Sequence, residues 1–161
     1  SAARPFTERL VTDLISAGVL IAPVTLHAGV GSLEAGEQPL PERFTVPDPT
    51  AALVSLTRSA GRRVVAVGTT VTRALESAVG ADGAVQASQG WTDLVLGAQR
   101  PARVVSGLVT GWHDPEASHL ALLESVAGRE LVTAAYAKAD QAGYLGHEFG
   151  DSCLLLPFIR S

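Results

Sequence analysis

Val64-Val65-Ala66-Val67-Gly68-Thr69-Thr70-Val71-Thr72-Arg73-Ala74-Leu75-Glu76 begins as an unbroken run of small and β-branched apolar residues and changes to helical spacing beyond a glycine. The run predicts a buried-type strand, Gly68 a turn, and the segment from Val71 to Val79 a helix. Working outward, apolar alternation and β-branched density predict further strands near Val19–His27, Asp93–Leu96, Arg103–Trp112 and Phe149–Leu156. Helical segments are predicted over Phe6–Ala17, Pro49–Ala60, Pro115–Ala127 and Glu130–Ala142. Strand and helix mostly alternate, which predicts an α/β fold: a mixed or barrel-like sheet with covering helices. Gly29 to Pro49 is read as a long irregular connection, and Gly80 to Gly90 as a small, polar surface loop.

Chain length and composition limit the possibilities. With 161 residues, 47% of them hydrophobic, the chain supports one domain with a substantial core. Its longest apolar runs, Val19–Val24 and Cys153–Ile159, are far shorter than the roughly 20 residues of a membrane-spanning helix. The start carries no basic and apolar secretory pattern. A single cysteine, Cys153, excludes an internal disulfide, and the absence of a Cys-x-x-Cys spacing removes the usual zinc and redox readings. The expectation is therefore a cytoplasmic protein with no membrane association and no metal. The chain contains no methionine, from which a processed or excised segment is inferred. Its net charge of -4 supplies no global attraction for a polyanion. Arg58, Arg62 and Arg63 form a local basic group, whose plainer reading is a solvated helix end.

Four segments can carry chemistry. At Gly68–Arg73 a strand-to-helix turn leaves free backbone amides at the helix start; with the Thr69 and Thr70 hydroxyls these can hold a carboxylate, a ribose hydroxyl or a phosphate. The plainer reading makes the threonine an N-cap and Arg73 with Glu76 a surface i,i+3 pair. In Leu108-Val109-Thr110-Gly111-Trp112-His113-Asp114-Pro115-Glu116, Asp114 and Pro115 form a helix-start signal. They place His113 at a strand end beside a helix N-terminus, where a neutral ring is favoured; the alternative is a histidine that only fixes the turn. Val24-Thr25-Leu26-His27 puts His27 at another strand end, ahead of Gly29 and Gly31. Asp151 follows Gly150 before the last apolar run, as a turn residue or a site acid.

Taken in this order, these segments resemble the S-adenosylmethionine:tRNA ribosyltransferase-isomerase family of queuosine biosynthesis. The resemblance is carried by Val24 to His27 with Gly29 and Gly31, Val67 to Arg73 with Leu75-Glu76, and Gly90-Trp91-Thr92-Asp93. It continues through Thr110, His113, Pro115-Glu116 and Gly150-Asp151. It covers about Phe6 to Leu156 and is similar to the C-terminal half of the family, so it implies part of a larger two-subdomain fold. The N-terminal half, with its inserted β-barrel, is expected to be missing.

The implied activity moves the ribosyl part of S-adenosylmethionine to 7-aminomethyl-7-deazaguanine in tRNA, giving epoxyqueuosine with loss of adenine and methionine. S-adenosylmethionine is then a substrate, with no separate cofactor, and tRNA and the missing half are partners. This chain alone is expected to be inactive. The resemblance carries His27, His113 and Glu116 over as catalytic candidates, and Thr69, Thr70, Arg73, Glu76, Thr110 and Asp151 as substrate-binding candidates. The chain departs from the family in a shortened loop after Gly31, where Glu42 matches the family glutamate but a histidine pair is lacking. It departs again at Gly111, at Asp114, and at Leu145-Gly146-His147, where the family has an arginine and two aromatics. Losing those residues weakens nucleic-acid contact there. The alternative reading is a divergent paralogue that binds S-adenosylmethionine or a nucleoside without turnover.

Overall fold

The computed structural model describes residues 2–27, 40–113, 119–146 and 150–158. In chain order the described elements are α1 (Glu8–Ser16), β1 (Thr25–His27), β2 (Glu42–Val46), α2 (Asp48–Ser59), β3 (Val65–Val67) and α3 (Thr69–Ser77). They continue as β4 (Ser88–Thr92), β5 (Gly107–Gly111), α4 (His119–Ala127), α5 (Arg129–Ala142) and β6 (Ser152–Leu155). The strands make two small sheets. One is antiparallel in the order β1-β2-β4; the other has the order β3-β5-β6, with β3 and β5 parallel and β6 antiparallel. The fold is thus mixed α/β, and neither sheet closes into a barrel among the described residues. No described helix is long and apolar enough to cross a membrane.

The decisive stretch folds as read: β3 passes through Gly68 into α3. Gly68 adopts φ 104° and ψ 148°, a backbone conformation open to glycine and strained for any other residue. Its amide bonds Val109 O on the neighbouring strand, so the turn is pinned to the sheet. Helix α3 then buries Thr72, Arg73, Ala74, Leu75 and Glu76 in succession. A helix buried all round lies inside a protein rather than on it, and α3 packs against strands of both sheets. Phe44 and Val46 of β2, Ala66 of β3, Leu108 of β5 and Leu155 of β6 join Ala74 and Leu75 in one apolar core.

Two strands formed where loops were expected. β2 lies inside the stretch read as an irregular connection from Gly29 to Pro49, and β4 overlaps the expected Gly80–Gly90 loop while Asp93–Leu96 stays outside the ladders. The inner face of β2 joins Glu42 to the core residues Phe44 and Val46, and that of β4 is polar throughout. Glu42 of β2 turns inward because Arg73 meets it, and β4 presents Ser88, Gly90 and Thr92 inward, with its one large apolar residue, Trp91, outward. Thr92 is satisfied by a hydroxyl pair with Ser77 at 2.6 Å. Of the expected strand Val19–His27, only Thr25–His27 pairs; upstream, Pro23 O accepts a hydrogen bond from Thr50 Oγ1.

Candidate functional site

The carboxyl ends of the parallel strands β3 and β5 lie side by side, with Val67 opposite Val109. In open α/β sheets this is the edge at which ligands are held. Gly68, Thr69 and Thr70 leave β3 at this edge, and Thr110, Gly111, Trp112 and His113 leave β5 there. Because β6 runs antiparallel, with Ser152 opposite Gly111, it brings Gly150-Asp151 to the same edge.

Helix α3 begins without a side-chain cap. Among the described residues, no acceptor is bonded to the first-turn amides of Thr69, Thr70 and Val71, and the Thr69 and Thr70 hydroxyls make no hydrogen bond. The threonine N-cap reading therefore does not hold; Thr69 and Thr70 are the first helical residues. Free amides, two hydroxyls and the positive end of the helix dipole form a donor surface suited to an anion or a hydroxyl group.

His113 follows the neighbouring strand β5 at the same edge. Its Nε2 is 3.0 Å from Thr110 Oγ1, and its backbone N–H donates to Tyr136 Oη at 3.2 Å. Its ring stacks on that of His119, with centroids 4.3 Å apart and planes inclined by 5°. Burial, and then the charge of His119, push His113 down to about 4, so the ring is neutral at physiological pH. Neutrality was expected from a helix N-terminus; burial and the second imidazole produce it here, and the expected N-cap, Asp114, lies outside the described residues. His119 is itself held low by burial and then by the Arg73 guanidinium. The sequence reading missed His119, because six residues of separation do not announce two rings stacked face to face.

Several candidates prove to be occupied by the chain itself. Arg73, 4% exposed, ties α3 to β2, β4 and their flanking residues: its Nη1 donates to Glu42 Oε2 at 2.7 Å, its Nε to Leu94 O, and its Nη2 to Leu40 O and Thr92 O. Burial raises the Glu42 carboxyl more than Arg73 lowers it. Glu76, 2% exposed, accepts the amides of Arg103, Val104 and Val105, with Arg100 Nη1 3.7 Å away. The surface Arg73–Glu76 pair does not form; each residue has a separate buried partner. Asp151 Oδ2 accepts the Leu145 amide and so closes the turn before β6. Gly150 is required in that turn, since a Cβ there would run into the carbonyls of Leu145 and Gly146.

His27 is not brought into this group. It lies exposed, opposite Arg43, on the face of the β1-β2-β4 sheet turned away from α3. Glu116 lies outside the described residues, as does the stretch from Ala28 to Pro39 that follows His27. Of the basic group, Arg58 bonds Gly83 O and Arg103 O, and Arg63 bonds Pro157 O, while Arg62 is exposed, in keeping with a helix end. Cys153 packs half-buried on the core, and burial pushes its thiol up to about 11. Among the described residues no group of three or more histidine, cysteine, aspartate or glutamate side chains could hold a metal ion.

The fold is that of an α/β protein whose candidate ligand site lies at the carboxyl ends of two parallel strands, with an uncapped helix start and a neutral histidine at that edge. More particularly, the chain belongs to the queuosine biosynthesis protein family, whose model matches residues 1–155. Relatives named S-adenosylmethionine:tRNA ribosyltransferase-isomerase include that of Acidiphilium cryptum, 41% identical over 157 residues, which are 93% of this chain and 46% of the relative. That of Moorella thermoacetica is 38% identical over 158 residues, 94% of this chain and 46% of the relative. The crystal structure of S-adenosylmethionine tRNA ribosyltransferase from Thermotoga maritima superposes with a TM-score of 0.79 at 34% identity. The match covers 97% of this chain and 52% of that one. The chain thus spans about half the length of the curated relatives it matches.

Proposed function

We propose that this chain contributes the site at which S-adenosylmethionine donates its ribosyl moiety to 7-aminomethyl-7-deazaguanine in tRNA, forming epoxyqueuosine and releasing adenine and methionine. The supporting observation is the pairing of a neutral His113 with Thr110 at the sheet edge where the uncapped start of α3 also lies. In this reading the amides of Thr69 and Thr70 and their hydroxyls hold the ribose and carboxylate oxygens of the substrate. His113 is the group that takes the proton next to the sulfonium, and Thr110 sets its tautomer. A ring held at about 4 is neutral but weakly basic. An anion beside it raises its strength, and Asp114 and Glu116 are carboxylates close by in sequence that can supply one. Arg73 and Glu76 act as positioning residues, fixing α3 between the two sheets, and Asp151 shapes the neighbouring turn.

The low basicity of His113 favours a second reading, in which the chain's protein binds S-adenosylmethionine or a nucleoside without this turnover. Adenine release by the full-length protein separates the two. Under the first reading adenine appears only with tRNA bearing the deazaguanine precursor, and His113→Ala lowers the rate by about 10²- to 10⁴-fold. S-adenosylmethionine binding with no adenine under any condition would sink the first reading and leave the second.

A further inference from the structure

The two sheets differ in what they turn outward. The outer face of β3-β5-β6 carries Val65, Val109 and Leu154, an apolar surface of the kind other protein covers. The outer face of β1-β2-β4 is of another character. Its register sets Thr25, Thr45 and Gln89 in one cross-strand row and His27, Arg43 and Trp91 in the next. Residues opposite one another in antiparallel strands lie about 5 Å apart, so the second row is a continuous strip of imidazole, guanidinium and indole roughly 10 Å across. Trp91 is 71% exposed. No acid points outward from these strands, because Glu42 turns inward to Arg73. None of His27, Arg43 and Trp91 makes a side-chain hydrogen bond, ion pair or ring contact among the described residues.

We infer that this strip is a nucleic-acid contact: Trp91 stacks on one unpaired base of the RNA, and Arg43, beside His27, holds an adjacent phosphate. The inference rests on tRNA carrying the acceptor base. Sequence-tolerant recognition of unpaired RNA uses an aromatic on a sheet face next to a cation, with small polar residues around it. All three are present here. The strip also supplies local positive charge on a chain whose net charge is -4, so the RNA can dock without a basic protein around it.

The test uses the full-length protein and a labelled anticodon stem-loop RNA hairpin, titrated between about 50 and about 200 mM salt. Trp91→Ala and Arg43→Ala each weaken hairpin affinity about tenfold, and Arg43→Ala lowers the logarithmic salt slope by about one. Trp91→Phe recovers most of the affinity. Arg62→Ala, in the other exposed basic group, leaves affinity as it was. If both strip variants bind the hairpin like the unsubstituted protein while tRNA-dependent adenine release persists, RNA docks elsewhere; this inference falls and the reaction stands. If the unsubstituted protein binds no hairpin, this inference falls, and tRNA-dependent adenine release alone decides the reaction. If Trp91→Ala lowers the unfolding midpoint while the folded fraction keeps its RNA affinity, the strip is covered by the remainder of the protein, and the inference falls.

Discussion

Replacing Glu76 with glutamine tests whether a buried carboxylate, rather than apolar packing alone, holds α3 to the segment leading into β5. Glu76 Oε1 accepts from the amides of Arg103, Val104 and Val105 at 2.9, 2.7 and 3.0 Å, and Oε2 receives Arg103 at 2.9 Å as well. Its side chain has no exposed surface, and Arg100 stands 3.7 Å away. Glutamine keeps the shape, loses the charge and turns an NH₂ group towards at least one donor. Hydrogen bonds to a charged group contribute about 1.5–3 kcal/mol each, and a buried donor left without a partner costs a further ~1–3 kcal/mol. Allowing for partial relaxation, the expected loss is about 3–5 kcal/mol. For a chain of this size each kcal/mol moves the melting midpoint by about 2–4 °C, so Glu76→Gln lowers it by roughly 6–20 °C. Thermal and urea unfolding of the 161-residue chain, followed by circular dichroism, measures this. A fall of under about 3 °C would refute the reasoning, since the three amides would then be satisfied without the charge.

Two further perturbations address groups that burial has shifted. His113 has its folded pKa lowered to about 4 from 6.5. Between those values the unfolded chain binds the extra proton, so stability is complete above about 6.5 and is lost as pH falls towards 4. The full shift corresponds to about 3 kcal/mol, which partial exposure reduces to about 1–2 kcal/mol. His113→Asn flattens this part of the stability–pH curve measured by urea unfolding, and an unchanged slope would contradict the assignment. The Cys153 thiol, pushed up to about 11, is expected to alkylate with iodoacetamide at pH 8 far more slowly in the native chain than in urea; equal rates would show that its burial in the fold is wrong.

Local patterns made the strand–turn–helix from Val64 to Glu76, the helix ends and the alternation of strand and helix legible, because buried runs, glycine turns and 3.6-residue spacing act over a few neighbours. The family resemblance was legible for the same reason: short segments keep their order along the chain. β2 and β4 were not, since the inward Glu42 of β2 and Thr92 of β4 become acceptable only when α3 arrives with Arg73 and Ser77.

The residues in the candidate site divide along the same line. The sequence by itself determined which side chains were on offer as candidates: Thr69, Thr70, Thr110, His113 and the two charged residues of α3, Arg73 and Glu76. Only the tertiary structure decided that Arg73 and Glu76 are consumed in the core, that His119 stacks on His113, and that His27, Arg43 and Trp91 share an outward row. A side chain's partner depends on contacts between residues 15 to 31 positions apart, such as Ser77 with Thr92 or Arg73 with Glu42, and only the packing of α3 between the sheets brings these together.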